Sequence, residues 1–202
     1  QGDKVARIDF APAAAKPVSG ALDIGGIDLT DVTATEAALT KVVAAHGGID
    51  VLINVAGGFT WETLEGGSLD TWARMQAMNL LSNATITKLA LPELIRAGSG
   101  RIVNIGAGGA VKAAMGMGAY AASKSGVHRL TEALAEEVSG QGITVNAILP
   151  SMIDTPTNRA DMPDADFSQW VKPAAIADVI LFLASDAARS VTGALIPVSR
   201  GA

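Results

Sequence analysis

The chain contains no cysteine. That excludes a disulfide framework, thiol nucleophiles and thiolate metal sites. Histidine is scarce as well: His46 and His128 stand far apart, without metal-ligand spacing. Charged residues make up only 17% of the chain, the net charge is −5 and no basic cluster is present, which argues against a nucleic-acid partner. No apolar run approaches the roughly 20 residues that span a bilayer, and no signal peptide opens the sequence. Aromatic residues are few, and tyrosine occurs once, at position 120. What is present is 49% apolar and rich in glycine, over 202 residues, which suits one domain spanning 1–202 with a sizeable core. A cytoplasmic enzyme or binding domain acting on a small molecule is the expectation.

Strand-like and helix-like segments alternate. Residues 4–9 read as a strand, followed by a Pro/Ala loop, and residues 22–29 hold a short strand. Residues 32–46 have helical spacing, with Asp31 or Thr33 as the cap. The apolar run 50–55 suits a strand buried on both faces, and 101–105 and 143–149 are further buried strands. Residues 68–96 form one long helix, bent along its course and opened by Ser68. Residues 119–139 form another helix. A long irregular stretch, 151–170, precedes a helix over 173–185 with proline in its first turn and a final strand over 194–198. Such alternation predicts an α/β fold with a parallel sheet covered by helices on both faces.

Tyr120 and Lys124 are four residues apart on one of these helices, so a phenol and an ammonium share a helix face, one turn apart. A nearby ammonium favours phenolate and lowers a tyrosine pKa that is ordinarily about 10. A tyrosine tuned in this way exchanges a proton with a substrate near neutral pH. The same spacing also arises as a solvated lysine beside a half-buried tyrosine.

Several further pieces accompany the pair: Asn54-Val-Ala-Gly57, Asn79 inside the long helix, Arg101-Ile-Val-Asn-Ile105, Tyr120-Ala-Ala-Ser-Lys124, Val145-Asn-Ala147 followed by Pro150, and Thr192-Gly193. In this order and spacing, over nearly the whole chain, the sequence resembles the short-chain dehydrogenase/reductase family. The resemblance implies a doubly wound, Rossmann-type parallel sheet and NAD(H) as cofactor, with NADP(H) as the alternative. One piece of that fold has no counterpart. The strand, Gly-rich turn and helix that hold the cofactor pyrophosphate do not precede Lys4. By resemblance, Gln1-Gly-Asp-Lys4 reads as the end of the first helix running into the second strand. Roughly 25–30 residues, about one strand–turn–helix, are then expected ahead of it. The strand of that unit would lie between the strand ending at Asp9 and the strand 50–55, and without it two strand edges lack partners.

The resemblance assigns roles residue by residue. Asp9 accepts hydrogen bonds from the adenosine ribose and repels a 2′-phosphate, favouring NAD, while Arg7 on the same strand would attract one. Asp28 and Leu29 lie beside the adenine, a capping or loop role being the alternative for Asp28. The backbone of Asn54, Ala56 and Gly57 lines the nicotinamide ribose, and Asn54 also steadies the sheet. Asn79, a poor helix former, bends its helix and holds a water that extends a proton relay. Lys124 binds the nicotinamide ribose and tunes Tyr120, the acid/base. Pro150 ends a strand, Ser151 departs from the usual glycine, and Ile153 and Thr155 contact the nicotinamide carboxamide. Met152, Met162, Phe167 and Trp170 belong to a lid over the substrate, local packing of a long loop being the alternative for the aromatics.

The largest departure is Ala107, thirteen residues before Tyr120, where the family places a serine that donates to the substrate oxygen. No serine or threonine stands between Asn104 and Tyr120. Losing such a donor costs about 2.7–4 kcal/mol of transition-state stabilisation. Dihydropteridine reductases, an offshoot of the family, resemble this chain at Ala107, around Met117, at Val127-His128 and along much of 149–170. Their quinonoid pterin substrate implies a proton delivered by tyrosine alone. A catalytically weak or inactive nucleotide-binding protein is the reading from another class. The Ala-rich face of 119–135 admits close helix approach, and a homodimer or homotetramer is expected.

Overall fold

Among the described residues six short strands form, and every pairing among them is parallel. A computed structural model describes residues 2–14 and 18–199. The strands are β1 (Ala6–Ile8), β2 (Leu22–Ile24), β3 (Val51–Asn54), β4 (Arg101–Ile105), β5 (Thr144–Pro150) and β6 (Leu195–Val198). They make two sheets. β1 pairs with β2, and the other four run in the order β3-β4-β5-β6. β5 is buried along its whole length and mostly apolar, with the buried Asn146 side chain hydrogen-bonded to the Val191 carbonyl and the Ala194 N–H.

The helices begin where the sequence supplies caps. α1 (Val32–His46) is capped by Asp31, whose carboxylate accepts the Ala34 N–H at 3.0 Å, and it ends at Gly47, where φ of 92° suits glycine. Ser68 caps α2 (Leu69–Met75). The helix then widens into a π-turn over Gln76–Leu81 and continues as α3 (Ser82–Ala97). α4 (Gly118–Glu137) carries Tyr120 and Lys124. α5 (Pro156–Asp161) and α6 (Pro173–Leu183) both start on proline, which has no N–H to lose there.

Strand alternation sends side chains to two cores. Leu52, Ile102 and Val145 pack with α1, α3 and α4 on one face. Val103 and Ile148 pack with Ile176 and Leu183 of α6 on the other. Among the described residues no helix is long and apolar enough to cross a membrane.

Two expectations need correction. The strand over 50–55 was expected to be buried on both faces, yet only Leu52 and Asn54 are buried, while Val51 and Ile53 are 40% and 39% exposed. Ile53 is in register with Val103, so it lies on the α6 side of the sheet, where α6 packs on β4 and β5. Residues 2–4 have no regular structure, and Gly2 has φ of 89°, the left-handed value at which helices commonly end; Gln1 lies outside the described residues. The stretch 151–170 is not wholly irregular, since α5 and a 3₁₀ turn at Phe167–Gln169 fall within it.

Candidate active site

The carboxyl ends of β3, β4 and β5 lie side by side, and the loops leaving β3 and β4 meet the first two turns of α4. In an open parallel sheet this is where ligands bind. Tyr120 is half-buried in the first turn of α4, and Lys124 is buried one turn later. The Lys124 ammonium donates to the Ile105 carbonyl, at the end of β4, over 2.8 Å. The Phe59 ring meets the Tyr120 ring edge-on, with centroids 5.0 Å apart.

Lys124 was expected to pull the Tyr120 pKa down. Burial instead pushes the Tyr120 phenol above its ordinary value, and burial lowers Lys124 to about 8. The physical reason is that both groups sit in an apolar, backbone-lined recess, where desolvation penalises each charged form. At neutral pH the phenol is therefore protonated.

Asn79 lies in the π-turn and is buried. Its Oδ1 accepts the Gly58 N–H at 2.9 Å, and its Nδ2 donates to the Gly58 carbonyl at 3.1 Å and to Ser123 Oγ at 2.9 Å. Ser123 donates in turn to the Tyr120 carbonyl at 2.7 Å. Asn79 thus ties the loop after β3 to the helix turn that carries the tyrosine. Gly57 lies against both: a Cβ there would stand 2.6 Å from Asn79 Oδ1 and 3.1 Å from Lys124 Nζ. Only glycine leaves room for another group beside those two.

Asn54 sits at the end of β3, with Ala56 and Gly57 exposed beyond it. The Asn54 amide reaches Thr87 Oγ1 and Asn104 Oδ1, both at 2.9 Å, and Asn83 Oδ1 at 3.2 Å. Asn104 passes the chain on to Thr131 of α4 at 2.9 Å. This buried polar network locks β3, β4, α3 and α4 together. Asn83, Thr87, Ser123 and Thr131 were not singled out from the sequence. Their signal was there: Asn79, Asn83 and Thr87 recur every four residues, a polar stripe along one helix face.

Further from the tyrosine, Asp9 follows β1 and accepts the Ala11 N–H at 2.9 Å. Arg7 approaches Asp23 at 3.9 Å. Asp28 accepts the hydroxyl and the N–H of Thr30 at 2.7 and 2.8 Å, bonds that hold its carboxyl below the usual range. Leu29 packs against the α1 side of the core. Pro150 closes β5, buried beside Val198 of β6. Ile153 bridges to Val171, and Thr155 caps α5, its hydroxyl accepting the Asn158 N–H at 3.1 Å. The segment expected to be a lid is internally tied. Arg159 pairs with both oxygens of Asp154 and lies over the Phe167 ring at 4.6 Å, and Phe167 packs on the buried Trp170.

Ala107 is buried past the end of β4, and its N–H is directed to His128 Nε2 at 3.3 Å. Across the mouth, Trp61 covers Gly116, where a Cβ would meet the indole at 2.2 Å, and the Glu62 N–H donates to the Gly116 carbonyl at 2.8 Å. The loop after β3 and the loop before α4 are therefore joined around the tyrosine, with Phe59 and Trp61 each 56% exposed.

A family model described as enoyl-(acyl carrier protein) reductase matches residues 1–202. The chain is 32% identical to the 3-oxoacyl-[acyl-carrier-protein] reductase of Thermotoga maritima, over 96% of this chain and 82% of that protein. Among solved structures it is similar to ligand-free aldohexose dehydrogenase from Thermoplasma acidophilum, with a TM-score of 0.87 and 27% identity over 98% of this chain and 83% of that one. It is also similar to carveol dehydrogenase from Mycobacterium avium in complex with NAD, with a TM-score of 0.84 and 28% identity over 98% and 87% of the two chains.

Proposed function

The chain belongs to the short-chain dehydrogenase/reductase family, and from that premise we propose that it is an NADH-preferring oxidoreductase using Tyr120 as its acid/base. The observation that carries the reading is Lys124. A buried ammonium one turn from the only tyrosine, at the carboxyl end of a parallel sheet, spends a single hydrogen bond on Ile105. Its two remaining N–H groups are available to a ribose.

The residues present fit a nicotinamide cofactor. The glycine at position 57 keeps space open beside Asn79 and Lys124, and Asp9 ends β1 on the exposed side. Asn54, Ala56 and Gly57 would line the nicotinamide ribose, and Lys124 would bind it. Asp28 and Leu29 would sit by the adenine, and Pro150, Ile153 and Thr155 by the carboxamide. Bound there, the cofactor supplies or accepts the hydride. The Tyr120 phenol, protonated at neutral pH, donates to the oxygen or nitrogen that gains charge during reduction. Asn79 holds Gly58 and Ser123, and through them the turn that aims Tyr120; a water-linked relay through it belongs to the same reading. Asp9, with a carboxylate where a 2′-phosphate would fall, supports NADH over NADPH. The open edges of β1 and β3, and the exposed face of β3 at Val51 and Ile53, support a further strand and helix in the natural protein that would complete one domain. An intact mass of the natural gene product equal to 202 residues would refute that. A cytoplasmic homodimer or homotetramer completes the reading, supported by the small residues along α4.

Turnover is tested by NADH oxidation with simple ketones, quinones and quinonoid dihydropterin. Tyr120→Phe is expected to cut kcat by about 10²–10⁴, the usual share of general acid/base catalysis. Near-normal turnover of that variant removes Tyr120 from the mechanism. Ala107 favours two narrower readings. A dihydropteridine-reductase-like activity is supported by substrates that need one proton donor only, and turnover confined to the dihydropterin would select it. A non-catalytic nucleotide-binding protein would bind NADH and turn over none of the panel.

A further inference from the structure

Two side chains of α4, one turn apart, hold the same short stretch of backbone. Lys124 donates to the Ile105 carbonyl at 2.8 Å, and the Ala107 N–H donates to His128 Nε2 at 3.3 Å. Gly106, between them, lies against the imidazole: a Cβ there would stand 2.6 Å from Nε2 and 2.8 Å from Cδ2. The Gly106 N–H is fixed to the Ile148 carbonyl of β5 at 2.9 Å. This glycine therefore permits a close approach that any other residue would block.

The geometry dictates the protonation state of His128. A backbone N–H only donates, so Nε2 must be a bare acceptor and the ring proton sits on Nδ1. Protonation at Nε2 would set two donors against each other and break the contact. We infer that His128 is a positioning residue: its neutral imidazole clamps the 105–107 tail of β4, the tail on which the Lys124 ammonium rests and which carries Ala107 into the pocket. The kinetic consequence rests on the oxidoreductase reading above; the clamp itself does not.

The surroundings favour the neutral ring. Burial is the main cause and Arg129 the next, together holding the His128 pKa below the ordinary imidazole value against an opposing pull from Glu132, with Lys124 adding the smallest push. These three charged groups all belong to α4, and from the strand side the ring meets Gly106 and Ala107.

Two variants and one spectroscopic measurement test this. In His128→Gln the amide oxygen can accept the Ala107 N–H and does not titrate. In His128→Leu the acceptor is gone. The wild-type kcat is expected to fall on the acid side as His128 protonates. His128→Gln should keep most of the neutral-pH kcat and lose that acid limb. His128→Leu should lose about tenfold or more at every pH, since a displacement of about 1 Å at a reacting site costs up to ~10²-fold. An unchanged kcat in the leucine variant, or an unchanged acid limb in the glutamine variant, overturns the inference. Nitrogen-15 NMR of the wild-type protein reads the clamp without turnover. His128 Nε2 should resonate as an unprotonated acceptor at neutral pH, and the Ala107 amide should shift together with the imidazole titration. A protonated Nε2 at neutral pH, or an Ala107 amide blind to that titration, also overturns it. Should His128→Leu fail to fold, the glutamine variant and the spectrum still decide. Should no substrate be turned over while the spectrum behaves as expected, the oxidoreductase reading fails and the clamp stands.

Discussion

Lys124 carries its buried charge at a folding penalty. Its pKa is about 8 in the folded protein against an ordinary 10.5, because burial disfavours the ammonium. Between those values the unfolded chain holds a proton that the folded chain has released. Stability therefore rises with pH across that window, and the full penalty applies below it. At about 1.36 kcal/mol per pH unit the span is on the order of 3 kcal/mol. Lys124→Met should lack this pH-dependent gain, so its stability advantage over wild type should be largest near pH 7 and shrink toward pH 10. Urea unfolding of both proteins across that range measures it, and parallel curves would show that the ammonium is not destabilised. Ala107 offers the complementary experiment. Ala107→Ser restores a hydroxyl where the family resemblance expects one, and it should raise kcat for a simple ketone by up to ~10²-fold. No gain would mean that the pocket directs substrate elsewhere.

At the scale of elements, the π-turn at Gln76–Leu81 decides where the tyrosine points. It widens the helix so that Asn79 reaches Gly58 and Ser123 at once. Asn79→Ala removes those bonds and leaves the Gly58 N–H and carbonyl partly buried without partners. A loss of about 2–6 kcal/mol follows from costs of about 1–3 kcal/mol for each of the two unsatisfied groups. Thermal unfolding checks it, and a loss under about 0.5 kcal/mol would mean that water replaces the amide. The helix starts at Asp31, Ser68 and Pro173 were legible because their signals are local, each acting within one turn, whereas the start of α5 at Pro156 was read as part of an irregular stretch. The π-turn was not legible, since one extra residue per turn scarcely alters an apolar pattern, and only the isolated Asn79 hinted at it. The one-sided burial of β3 was equally hidden. A run such as Val-Leu-Ile-Asn states that a strand is apolar, and what covers each face depends on helices distant in sequence. Tyr120, Lys124, Asn79 and Gly57 were legible as a group, and the structure brings them together. His128 and the Asn54–Asn83–Asn104 network were missed as partners because their meaning lies in contacts between elements.

For the molecule as a whole, the division into two sheets sets an order of local stability. β4 and β5 have partners on both sides and helices over both faces, and their residues are almost wholly buried. β3 has a partner on one side and an uncovered face, and β1 pairs only with the three-residue β2. Backbone amides open where few apolar contacts and few flanking strands oppose it. Hydrogen exchange of the 202-residue chain should therefore be slowest in β4 and β5, intermediate in β3 and fastest in β1 and β2. The Asn54 network modifies that order in a definite way. It anchors the carboxyl end of β3 to α3, β4 and α4 through buried side-chain bonds. Asn54→Ala should accelerate exchange in β3 more than in β5, because β5 contributes nothing to that network. Mass spectrometry of exchanged peptides covering 50–55 and 143–150 tests both statements. Equal acceleration in the two strands would mean that β3 and β5 open only together, as one cooperative unit, and that the open edge beside β3 carries no separate weakness.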